Sequence, residues 1–150
     1  GLLMDTAYIS TLSALAGTVI GAVSTFATSW MTQTTQARVA RLNAERDRRS
    51  ELYGRFMEET ARLYSHAVTE ETVDFSQLVN IYALRGRILL QSSEEVAHRA
   101  DEVIKLLSDL YLSTNKNAAE VFEDSRQRDP MRPFAEACRA ELRALTGRQI

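Results

Sequence analysis

The pattern of apolar and polar positions changes character along the chain, and each change marks an element. From Tyr8 to Met31 the order is YISTLSALAGTVIGAVSTFATSWM, without one Asp, Glu, Lys or Arg. The uncharged run extends from Thr6 to Ala37, 32 positions in a chain that is 25% charged. Crossing a hydrocarbon core of about 30 Å takes roughly 20 helical residues. Tyr8 and Trp30 lie 22 residues apart, about 33 Å at the helical rise. The run therefore predicts a transmembrane helix, with Tyr8 and Trp30 as aromatic anchors at the two interfaces.

Ser, Thr, Gly and Ala fill 14 of the 23 positions from Ile9 to Met31, and they are not scattered. Ser10, Ala14, Gly17, Gly21, Ser24 and Thr28 recur at alternating spacings of four and three and form one helical stripe. Leu12, Leu15, Val19, Val23, Phe26 and Trp30 take the opposite side. Small groups toward a partner helix and bulk toward lipid is the arrangement that close packing in membranes requires. Two other readings compete. One is an Ala-rich soluble helix buried in an oligomer. The other is a cleaved export signal, which the lack of a basic residue ahead of the run disfavours.

Beyond the run, Asn43 to Glu51 (NAERDRRSE) is polar almost all round and predicts a helical stalk. Glu45–Arg49, Glu51–Arg55 and Glu58–Arg62 have the favourable i,i+4 order. An apolar face returns at Leu52, Tyr53, Phe56, Met57, Leu63, Tyr64, Ala67 and Val68, where packing on other helices is expected to begin. Val73–Phe75 reads as a break, with Ser76 capping a helix that is apolar over most of its girth through Leu78, Val79, Ile81, Tyr82, Leu84, Ile88, Leu89 and Leu90. Such a helix belongs in the middle of a bundle. Ser92 and Glu95 have capping-box spacing, ahead of a seam at Val96, Ala100, Val103, Leu107 and Leu110, widened by Ile104 and Tyr111. Ser113–Asn117 reads as an interruption and Ala118–Arg128 as partly helical around Val121 and Phe122. Asp129-Pro130 starts the last helix, Pro133 delays its regular part, and Phe134, Ala137, Cys138, Leu142 and Leu145 form its buried side up to Gly147.

The expected fold is thus all-α: residues 1–36 as a single N-terminal transmembrane segment, and 37–150 as a stalk and a bundle of three to four helices. Charge orients it. Asp5 alone precedes the span, whereas Arg38, Arg41, Arg46, Arg48 and Arg49 follow it. Basic flanks stay cytoplasmic, so the bundle should face the cytoplasm. Arg38 and Arg41 would mark the interface, and the local excess of Arg from 38 to 55 would meet anionic lipid headgroups. The single cysteine, Cys138, suits a reducing compartment. The net charge of −2 and the acids among the arginines argue against a nucleic-acid partner.

Glu95-x-x-His98 is the one metal-like spacing, but di-iron bundles need two such motifs and two further Glu. His98 also falls away from the apolar seam and should face water. His66, at the edge of its helix's apolar side near Arg62 and Glu70, reads as a surface or pairing group. Cys138 falls on a buried side without a neighbouring base. No phosphate loop, nucleophile elbow or zinc spacing occurs. Tyr53, Tyr64, Tyr82 and Tyr111 fall at helical core positions. No cofactor, metal or catalytic residue is expected.

The segments Glu45–Tyr53, Glu58–Ala67 and Phe134–Leu142 (FAEACRAEL) resemble a family of uncharacterised small bacterial proteins. That resemblance implies one N-terminal membrane span before a helical cytoplasmic region, and no activity. The function expected is a non-enzymatic, membrane-anchored scaffold or accessory subunit. It would self-associate through its span, or join a larger membrane complex, and hold a protein partner. A signalling module coupling ligand binding in the bundle to the stalk is the alternative; a soluble helical oligomer is another if the run does not span. An apolar cavity shared by Tyr64, Tyr82 and Tyr111 would favour the signalling module, and a filled core with an exposed apolar patch the scaffold.

Overall fold

The computed structural model describes residues 1–69 (the side chain of Val68 apart), 74–112, 123, 127 and 129–147. Among these the chain is all-helical: α1 (Leu2–Thr69), a 3₁₀ turn (Phe75–Leu78), α2 (Val79–Gln91), α3 (Glu94–Leu112) and α4 (Met131–Gly147). Packing divides the chain into two units, Gly1–Arg41 and Leu42–Ile150. The expected break at Val73, the interruption at 113–117 and the partial helix around Val121 and Phe122 lie outside the described residues.

In the first unit every residue up to Arg38 is exposed. Its large side chains, Leu12, Val19, Val23, Phe26 and Trp30 among them, are 58–81% exposed. The hydroxyls behave differently. Thr11, Ser13, Thr18, Ser24, Thr25, Thr28 and Thr32 each donate to the carbonyl four residues back, at 2.7–2.8 Å. A helix uses each carbonyl once, so a second acceptor site is free for this bond.

The second unit is a helical bundle around one core. α3 buries Val96, Ala97, Ala100, Val103, Ile104, Leu107, Leu110 and Tyr111, the seam its periodicity predicts. α4 inserts Phe134, fully buried, between Tyr53 and Phe56 of α1. The ring centroids are 6.2 Å apart and edge-on for Tyr53, and 4.9 Å apart and tilted for Phe56. Burying a side chain of this size contributes about 1.5–3 kcal/mol, and offset aromatic contacts add to it. Asp129 Oδ1 accepts from the Met131 N–H at 3.1 Å. Pro133 does not delay α4: it lies in the first turn, where its missing N–H has no intrahelical partner to lose.

Several local expectations need correction. α2 is not central: it buries Ile81 and Ile88 toward the core, beside Leu78 of the 3₁₀ turn, while Val79, Tyr82, Leu89 and Leu90 are exposed, Leu90 at 86%. Apolar girth does not create neighbours, and among the described residues only one side of α2 meets them. Ser76 does not cap α2: it lies in the 3₁₀ turn, which Asp74 caps by accepting from the Ser76 N–H at 2.9 Å, and α2 follows from Leu78 without a side-chain cap. Arg62 pairs with Glu59 at 2.7 Å rather than with Glu58. Asn43–Glu51 is not free of the bundle either, because Arg49 reaches Glu141 on α4. The other two pairs form as expected, Glu45–Arg49 at 2.9 Å and Glu51–Arg55 at 2.6 Å.

The Ser92–Glu95 capping box is also replaced. Ser93, one residue later, faces the start of α3, with its Oγ 3.5 Å from the Val96 N–H. The Ser93 N–H and Oγ–H both donate to Glu141, at 3.2 and 3.1 Å. Glu141 thus does from α4 what the third helical residue does in a capping box, and Glu95 turns to Arg99 at 2.9 Å. Tyr53 Oη lies 3.0 Å from Glu141 Oε2 and 2.9 Å from Ser92 Oγ. Tyr53 has one proton, and a carboxylate only accepts, so Tyr53 donates to Glu141 while Ser92 donates to Tyr53. Desolvation, reinforced by the Glu141 charge, pushes the Tyr53 hydroxyl well above its usual range, so it keeps that proton.

Replacing Glu141 by Ala would leave the Tyr53 hydroxyl and the Ser93 donors without this acceptor, and the half-buried Arg49 with Glu45 alone. Breaking a buried pair from one side costs about 3–5 kcal/mol, so Glu141→Ala should lower unfolding stability by about 3 kcal/mol. Glu136→Ala, which removes an exposed 3.2 Å pair with Arg132, should change it by less than about 1 kcal/mol. Denaturant titration of the full chain in mild detergent checks this; equal effects would remove Glu141 from its central role.

Candidate functional site

Among the described residues, three of the bundle's grooves of ligand size bear on the expected sites. The first, about 440 Å³, is apolar and lies between the end of α1 (Thr60, Tyr64), α3 (Val103, Leu107) and the start of α4 (Pro130, Met131). The second, about 550 Å³, opens between the 3₁₀ turn, α2 and α3, with Phe75, Val79, Tyr82 and Leu112 around it. Tyr64 lines the first groove, and Tyr82 and Tyr111 line the second, so neither of these two grooves among the described residues unites the three tyrosines. Tyr53 and Tyr111 are core residues as expected; Tyr64 is half-buried and Tyr82 is 48% exposed. Phe75, Val79, Tyr82 and Leu112 leave an exposed apolar patch.

The third groove, about 370 Å³, runs between α1 and α4. Its apolar lining is Met57, Ala135, Cys138 and Leu142, and Arg46, Arg139 and Arg143 stand over it with Ser50, Tyr53 and Thr146. No carboxylate lines it. Sequence reading placed Arg46 in the basic flank and passed over Arg139 and Arg143. The local signal was present nonetheless. Neither Arg46 nor Arg143 has an acid three or four residues away, and Arg139 and Arg143 are a like-charged i,i+4 pair. Such a pair is mildly destabilising on a helix.

The remaining titratable groups sit as follows. His98 is exposed, 3.7 Å from Glu102, and Glu95 faces Arg99. His66 stacks on Tyr111 of α3, with Nδ1 3.3 Å from its hydroxyl. Among the described residues no group of three His, Cys, Asp or Glu is placed to hold a metal. Tyr8, Trp30, Arg38 and Arg41, the expected interface anchors, are all exposed. So is the whole stripe Ser10, Ala14, Gly17, Gly21, Ser24 and Thr28, where Ser24 and Thr28 spend their protons on their own helix.

Cys138 is buried on α4. Desolvation, then the Glu141 charge, pushes its thiol from 9.0 up to about 12. The thiolate is the nucleophile, so this sulfur is a packing group. Because the folded state holds the proton more tightly, Cys138 leaves stability unchanged below pH 9 and lowers it as pH rises from 9 toward 12. Native alkylation at pH 8 should be slower than in the denatured chain by on the order of 100-fold. Labelling with iodoacetamide followed by mass spectrometry measures the ratio, and comparable rates would return Cys138 to the list of reactive thiols.

No family model, curated protein or solved structure matches this chain.

Proposed function

We propose that the chain is a non-enzymatic, membrane-anchored scaffold or accessory subunit, with its first unit as a single bacterial inner-membrane span and its bundle in the cytoplasm. One observation carries the reading. α1 contains a stretch long and apolar enough to cross a membrane, and none of it is buried by the chain itself. The core helix of a soluble monomer would be covered. Water-facing surfaces rarely expose so continuous an apolar patch, whereas hydrocarbon accepts it without cost. The Ser and Thr content, which lowers the hydropathy of the run, is compatible with lipid because most of those hydroxyls are already bonded to backbone carbonyls.

Orientation follows from Arg38, Arg41 and the arginines after them, and these positions attract anionic headgroups. The small-residue stripe gives the span a face for a second copy or another membrane subunit. Holding a partner, rather than catalysis, is the role that suits the bundle. Its buried ionisable groups, Glu141, Tyr53 and Cys138, are committed to packing, and its exposed apolar patch at Phe75, Val79, Tyr82 and Leu112 offers a surface.

Membranes from cells expressing the full chain should retain it through alkali extraction, and a carboxyl-terminal tag should be cut by protease only when the cytoplasmic side is open. Release by alkali, or a tag cut from outside, would overturn the reading.

The stripe has its own test. A Cβ at Gly17 or Gly21 meets open space within the chain, so larger side chains there do not disturb the fold of one copy. Gly21→Leu should reduce cross-linked dimer of the full chain in lipid by about 3- to 10-fold. Val23→Leu, on the opposite side, should leave it unchanged. Equal behaviour of the two variants would show that the stripe is not the contact.

A further inference from the structure

We infer that the groove between α1 and α4 is a binding site for a phosphate-bearing ligand, with the phosphate among Arg46, Arg139 and Arg143. This goes beyond the scaffold reading and does not depend on it.

The argument begins with charge. The chain as a whole carries −2, and most arginines in the bundle have a carboxylate: Arg48 and Arg49 have Glu45, Arg55 has Glu51, Arg62 has Glu59, Arg85 has Asp101, and Arg99 has Glu102. The three arginines of this groove have no acidic partner among the described residues. The acids nearest Arg139 and Arg143 on α4 are used elsewhere: Glu136 pairs with Arg132, and Glu141 points to Arg49, Tyr53 and Ser93. A helix that places Arg139 and Arg143 one turn apart, facing a third arginine on α1, concentrates positive charge that the fold does not neutralise.

Chemistry then selects the ligand. A guanidinium presents a planar fork of donors that matches phosphate oxygens, and several forks around one point suit a dianion better than a single carboxylate. Ser50 and Thr146 stand in the same lining; Ser50 has a proton to donate, and Thr146 already gives its own to the Leu142 carbonyl at 3.2 Å. Beside the cationic side lies the apolar strip of Met57, Ala135 and Leu142, which would take a non-polar part of the same molecule. A volume of about 370 Å³ is in the range of small-ligand sites. The ligand is therefore an amphiphilic phosphate, either a lipid headgroup with the start of its chain or a soluble phosphorylated compound.

The test uses the full chain in a non-ionic detergent and isothermal titration with inorganic pyrophosphate, short-chain phosphatidic acid, short-chain phosphatidylcholine and a poly-glutamate peptide. Saturable binding of phosphatidic acid alone supports a lipid source, and binding of pyrophosphate as well supports a soluble one. In either case Arg139→Gln combined with Arg143→Gln should weaken binding by at least about 10-fold. Arg87→Gln, outside the groove, should leave it unchanged. Without ligand, the double variant should melt no lower than the unaltered chain, since it relieves a like-charge pair. Four results would overturn the proposal. These are no saturable phosphate binding, binding indifferent to the double variant, binding of poly-glutamate only, and a lower melting midpoint of the ligand-free variant, which would assign the arginines to the fold.

Discussion

The bundle depends on one carboxylate. Glu141 exposes only 9% of its side chain, and an ion so placed persists only if its lone pairs are taken. Four donor groups take them: the Arg49 guanidinium, the Tyr53 hydroxyl, the Ser93 N–H and the Ser93 hydroxyl. A carboxylate offers about four such sites, so the set is complete. The donors come from two different helices, and one of them is the first orphan amide of α3. Satisfying one charge therefore fixes where α4 sits along α1, and where α3 begins beside both. The T-shaped contact of Tyr53 with Phe134 then has the aromatic residues already in register, so the polar and apolar halves of the joint support the same arrangement.

What periodicity could show follows from what it measures. Repeats of three and four report which residues of a helix prefer burial. They were sufficient for α3, where Val96 to Tyr111 make one broad seam, and for α4, where Phe134, Cys138 and Leu145 do. They do not report what stands opposite. α2 is apolar nearly all round, yet Val79, Tyr82, Leu89 and Leu90 are exposed because coverage depends on other elements. The shift of the α3 cap from Ser92 to Ser93 has the same origin. The local motif is sound, but a better acceptor arrives from a residue 48 positions away, and long-range satisfaction outweighs local spacing. Likewise Arg62 chooses Glu59 over Glu58, with Gln77 of the 3₁₀ turn at 2.8 Å holding the guanidinium on that side.

The arginine groove marks the limit of legibility more sharply. Arg139 and Arg143 were readable as an unneutralised pair, and Arg46 as a basic residue without an acid one turn away. Only the fold places Arg46, 93 residues before Arg139, beside that pair. The same placement separates functions within α4. Glu141 binds inward to the clamp, while Arg139 and Arg143 line the α1–α4 groove and, among the described residues, pair with no carboxylate. Structural charge and spare charge thus occupy different sides of a single amphipathic helix.

The first unit poses the opposite question, because from Thr6 to Ala37 the polar groups are many and the charges none. Counting Ser and Thr as polar treats each hydroxyl as a donor seeking water. In α1 most of them donate to the carbonyl one turn back, so what reaches the surface is mainly a methyl or methylene and an acceptor lone pair. Composition therefore overstates the polarity of the helix. The same bonds change the meaning of the stripe. Ser24 and Thr28 have spent their protons within their own helix, which leaves acceptance, not donation, for any partner. Close approach at Gly17 and Gly21 would then draw on van der Waals contact more than on interhelical hydrogen bonds. Such contact is governed by shape, and shape is what the uninterrupted line of small residues supplies.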